Sequence, residues 1–79
     1  MSLKKNIAIS DSGFVFDPLS GNSFTTNPIG LLILQGLRAG KSEKEIAEQL
    51  FDTYDAEPSR VTKDLSDFMM VLERLKLTE

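Results

Sequence analysis

Three short antiparallel strands followed by three helices, an α+β fold, is the class this sequence predicts. Three observations point to it. The first third of the chain is rich in aromatic and β-branched residues between turn clusters, the apolar period shifts to that of a helix from Asn27 onward, and side-chain caps stand where the helices would begin.

The strands come first. Lys5 to Ser10 alternates weakly around Ile7 and Ile9, and Asp11-Ser12-Gly13 is a turn cluster. Gly13 to Asp17 (GFVFD) predicts a second strand, and Asn22 to Thr26 (NSFTT) a third. Between them, Asp17-Pro18-Leu19-Ser20-Gly21 has the residues of a type I turn ending in the left-handed region. The hairpin register has two solutions. A three-residue loop places Phe16 opposite Phe24, and a four-residue loop places Val15 there.

The helices follow. Asn27-Pro28 fits an N-cap with proline at the first helical position. Ile29, Leu31, Leu32, Ile33, Leu34 and Leu37 are apolar nearly all round, which predicts a central buried helix with Gly40 just past its end. Ser42 and Glu45 form a capping box, because each side chain can satisfy the other's free amide. The helix behind it presents Ile46, Ala47, Leu50, Phe51 and Tyr54 as its apolar stripe. Pro58 opens the last helix, whose seam is Val61, Leu65, Phe68, Leu72 and Leu75, with Lys63, Asp67, Met70 and Arg74 opposite. The first two helices are joined by about three residues, a spacing compatible with a helix-turn-helix. With a β-hairpin attached, the whole resembles a winged helix-turn-helix domain.

Composition narrows the function. At 79 residues the chain is one small domain over 1–79, with one modest core. It has neither cysteine nor histidine. Ser-His and Cys-His catalysis, the usual zinc sites and haem ligation are thereby removed. A binding module is expected rather than an enzyme, with no cofactor and no metal. Net charge is −3, and residues 43–57 hold six acids against one base. The last helix, residues 58–74, balances three bases with three acids. A winged-helix DNA-binding transcriptional regulator is the alternative reading, and the missing basic stripe argues against it. No transmembrane run or signal peptide is visible, so a cytoplasmic protein without membrane or nucleic-acid partners is expected. Met1-Ser2-Leu3 carry no weight in this reading. Exchange of the hairpin between chains would give a swapped homodimer.

The ordered series Gly13-Phe14-Val15-Phe16-Asp17-Pro18, Ser20-Gly21, Phe24, Asn27-Pro28, Gly30 and Ile33-Leu34 resembles the first half of PqqD-like proteins. Gly40-Lys41-Ser42, Glu45-Ile46-Ala47, Tyr54-Asp55, Asp64, Asp67-Phe68 and Leu72 continue it. The resemblance covers about Ile9 to Leu77, and is to the broad group more than to the quinone-pathway protein itself. It implies a metal-free, winged-helix-like peptide chaperone, a recognition element for ribosomally made precursor peptides (RiPPs). In pyrroloquinoline quinone (PQQ) biosynthesis, and in related pathways, such a domain holds the precursor's leader and presents it to a modifying enzyme, a radical SAM enzyme in the namesake pathway. The leader adds as a strand at the third strand's edge, and its apolar side chains enter a cleft against the third helix.

Carried onto this chain, the peptide-binding residues are Ser23, Phe24, Thr25 and Thr26 on the strand, and Asp64, Leu65, Phe68, Met69 and Leu72 on the helix. Strand addition supplies affinity through backbone hydrogen bonds and specificity through pockets for alternate side chains. Residues 1–6 either cover that edge or leave it open. Phe14, Phe16 and Phe24 have a spacing that more often marks core than cleft. Met69 lies about 80° from Val61 on the wheel and is the rim candidate. Asp64 and Asp67 either meet a basic residue of the leader or pair with Arg60 and Lys63.

Overall fold

The computed structural model describes residues 3–55 and 57–79. Strands β1 (Ala8–Ile9), β2 (Phe14–Phe16) and β3 (Ser23–Thr25) precede helices α1 (Pro28–Arg38), α2 (Glu43–Tyr54) and α3 (Pro58–Arg74). The sheet order is β1-β2-β3, antiparallel throughout. All six elements stand where the sequence places them, but each strand is shorter than expected. Val15 opposes Phe24 and Phe16 opposes Ser23. The Asp17 amide donates to the Asn22 carbonyl at 2.9 Å, which leaves a four-residue loop and selects the second of the two registers. Gly21, at φ +78°, takes the left-handed end of the turn.

Local chemistry sets the helix starts. Asn27 Oδ1 accepts from the Gly30 amide at 2.8 Å. Ser42 Oγ accepts from the Glu45 amide at 3.1 Å, while Glu45 Oε1 accepts from the Ser42 amide at 3.0 Å. These two bonds complete the capping box, and the amide of Ser42 holds the Glu45 carboxyl below its usual range.

The core gathers Val15 from the sheet, Ile33, Leu34 and Leu37 from α1, Ile46 and Leu50 from α2, and Val61, Leu65, Met69 and Leu72 from α3. Leu3 and Leu77, one near each end of the chain, join it. Leu3 therefore carries structural weight that the sequence did not reveal. Its backbone bridges to Thr78, and the Lys4 amide donates to the Leu77 carbonyl at 2.9 Å. Arg38 reaches across from α1 to donate to the Ile7 carbonyl, which ties the segment before β1 to the first helix.

Several expectations are corrected. Tyr54 is 40% exposed rather than core, because it sits at the last turn of α2. Leu75 is exposed because α3 stops at Arg74, so the wheel no longer fixes its direction. Phe14 and Phe16 lie on the face opposite Val15, as strand alternation requires, and Phe14 is 45% exposed. Of the three phenylalanines only Phe24, on Val15's face, packs against the core. Ile29, in the first turn of α1, is exposed too.

Asp17 is the one buried charged side chain among the described residues. Burial alone would raise its carboxyl. Hydrogen bonds from the Ser20 hydroxyl, the Leu19 and Ser20 amides and Asn6 outweigh that and hold it below the ordinary 3.8. A lowered native value means that the unfolded chain binds more protons in acid. Asp17's contribution to stability is therefore complete above 3.8 and disappears as pH falls through the lower native value. Urea midpoints should fall with pH across that window. In Asp17→Asn the fall should be shallower, and a slope identical to the parent's would refute this role.

Candidate peptide-binding site

The alternation of hydrogen bonds along the hairpin decides what β3 offers. The Thr26 amide donates to the Gly13 carbonyl at 2.8 Å, and the Asp17 amide to the Asn22 carbonyl. Counting inward from both, Val15 and Phe24 form the next hydrogen-bonded pair. The amides and carbonyls of Ser23 and Thr25 consequently point away from β2. No described residue pairs with them, because β1 lies on the far side of β2 and residues 3–6 run beside the chain's other end. The edge is thus open to the extent that residues 3–6 decide it; Met1 and Ser2 lie outside the described residues. Natural sheets guard such edges with lysine, proline or a bulge, and Ser23-Phe24-Thr25 has none of these.

A groove of about 700 Å³ begins where β3 ends. It runs between the first turns of α1 and the length of α3, with Leu50 and Tyr54 of α2 completing its lining. Helix packing shapes it, since α2 packs closely on both α1 and α3. Ile33, Val61, Leu65 and Phe68 make an apolar floor. Gly30 lets the backbone of α1 approach Thr26 and Phe68, because a Cβ there would come within 3.1 Å of the Phe68 ring. A smaller pocket of about 260 Å³ flanks the other end of β3, walled by Ser23, Phe24, Leu75 and Leu77.

The expected residues divide. Ser23, Phe24 and Thr25 lie on the open strand, and Thr26 follows it at the head of the groove. Asp64, Leu65 and Phe68 line the groove. Met69 and Leu72 do not. Both belong to the core, and neither borders the groove. The wheel places Met69 at the margin of the seam, but α3 is covered on that side, so its half-buried margin is at Phe68 instead. Asp64 is paired with Arg60, Nε to Oδ2 at 3.9 Å, and both side chains remain largely exposed.

Sequence reasoning missed Ile29, Val71 and Tyr54 as wall residues, together with Leu75 and Leu77 of the smaller pocket. The signal available for four of them was an apolar residue outside the seam or at a helix end. Among the described residues, no group of three or more His, Cys, Asp or Glu side chains is placed to hold a metal, and no helix is long and apolar enough to cross a membrane.

Residues 13–77 match the family model of coenzyme PQQ synthesis protein D (PqqD). Two solved structures are similar over nearly the whole chain. TbiB1 in complex with the TbiA(beta) leader peptide superimposes with a TM-score of 0.89 at 26% identity, covering 100% of this chain and 95% of that one. Lasso peptide synthetase B1 complexed with the leader peptide gives 0.78 at 27% identity, covering 91% and 88%. No curated protein matches the sequence.

Proposed function

This chain belongs to the coenzyme PQQ synthesis protein D family, and from that membership we propose that it is a RiPP recognition element that captures the leader of a ribosomally made precursor peptide. The observation that carries the reading is the open β3 edge leading into an apolar groove. Both structural neighbours were solved with a leader peptide bound, which supports a peptide as the occupant. The leader adds beside β3 and accepts from and donates to the outward groups of Ser23 and Thr25. Its alternate side chains turn inward over Phe24 and Phe68.

The domain acts over 1–79 as one binding unit in the cytoplasm, and it hands the held peptide to a separate modifying enzyme. In this reading the domain binds and the partner enzyme carries out the chemistry, which the family and the two leader-bound neighbours support. Docking of DNA on α2 is disfavoured because Glu43, Glu45, Glu48 and Asp52 would meet the phosphates.

Amide NMR titration with synthetic leaders from short reading frames beside its gene tests the proposal. Saturable shifts should concentrate at residues 22–26 and around Phe68. Thr25→Pro removes one outward amide without touching the β2 ladder, so the protein should stay folded and bind about tenfold more weakly. Unchanged affinity in that folded variant would exclude strand addition at this edge.

A further inference from the structure

We propose that the groove selects leaders carrying lysine or arginine beside the apolar residues it buries, with Glu57 and Asp67 as the receiving carboxylates. The inference rests on the leader-capture reading and adds a charge requirement to it. Glu57, Arg60, Asp64 and Asp67 stand along the α3 wall above the apolar floor. Arg60 is drawn to Asp64, as the 3.9 Å contact shows. Among the described residues, the side chains of Glu57 and Asp67 make neither an ion pair nor a hydrogen bond. The facing wall, from Asn27 and Ile29 to Tyr54, holds no cation that could answer them. Three carboxylates against one guanidinium leave this wall at −2.

Position matters as well as charge. Glu57 and Asp67 are ten residues apart along the helix, so about 15 Å separates their backbones. An extended peptide covers that distance in four or five residues. The two carboxylates therefore bracket a short apolar stretch and favour a base at either end of it. An acidic leader meets the same wall as repulsion, and the apolar floor keeps the field from being fully screened.

Selection from a displayed library of random 12-residue peptides tests this on the whole chain, with Asp67→Lys and Glu48→Lys beside the parent. Glu48 lies on α2, is exposed and does not line the groove, so Glu48→Lys makes the same change in net charge elsewhere. In peptides bound by the parent, Lys and Arg should exceed Asp and Glu by about threefold to fivefold next to the apolar anchor. Asp67→Lys should reverse that preference at one end of the anchor, and Glu48→Lys should leave it intact. Circular dichroism confirms that both variants are folded. Peptides bound without charge preference, or an equal change in both variants, would overturn the charge requirement while leaving leader capture standing. Failure of the parent to enrich any peptide would overturn both.

Discussion

Leu72→Ala should cost about 2–5 kcal/mol of folding stability, read as a lower urea midpoint. Leu72 is 0% exposed and packed among the cluster that joins α3 to α1, α2 and the sheet. Removing three carbons there leaves a cavity that a small, closely packed core cannot collapse to fill. A domain of this size holds only about 4–12 kcal/mol in total, so much of the population would unfold on mild heating. The result also separates two roles for the residue. A groove residue would lose peptide affinity and keep its stability. Leu72 should show the reverse, with near-parental affinity in the fraction that remains folded at low temperature. A stable Leu72→Ala protein with impaired binding would return Leu72 to the groove.

Gly13→Ala should be nearly as damaging, at about 2 kcal/mol or more, although it adds a single methyl group. Gly13 is buried with φ at +93°, a conformation that L residues rarely adopt. A Cβ there would come within 2.5 Å of the Thr26 carbonyl oxygen. That oxygen is backbone and cannot swing aside. To make room the chain must open the Gly13–Thr26 contact, whose hydrogen bond closes the β2–β3 ladder beside the groove. Thermal denaturation should show the loss of stability, and amide shifts should localise the disturbance to residues 10–14 and 24–27. Disturbance spread evenly over α2 would contradict this account.

Much of this architecture is legible in the sequence because it is set by neighbours along the chain. Ser42 with Glu45, Asn27 with Gly30, and Asp17 with Leu19 and Ser20 act over two or three residues, and each is visible as a short pattern. The order of strands and helices follows from such signals. The groove is different, because α1, α2 and α3 line it together, and its shape depends on how helices far apart in sequence pack on one another. A helical wheel gives the direction of a side chain but not what stands opposite it. For that reason Met69 reads as rim and is core, while Asp67 reads as the far polar face and stands at the mouth of the groove. The smaller pocket depends on Leu75 and Leu77, which lie past the end of α3 where periodicity has stopped.

The pairing of Leu3 with Thr78, and of Lys4 with Leu77, has a bearing on how the molecule breathes. Terminal segments usually fray independently, each at its own small free-energy cost. Here the two segments are paired with each other, so peeling either away breaks the same bridge and the same hydrogen bond. Because Leu77 also walls the smaller pocket beside Phe24, the segment at Leu3 and Lys4 is linked through it to one end of β3.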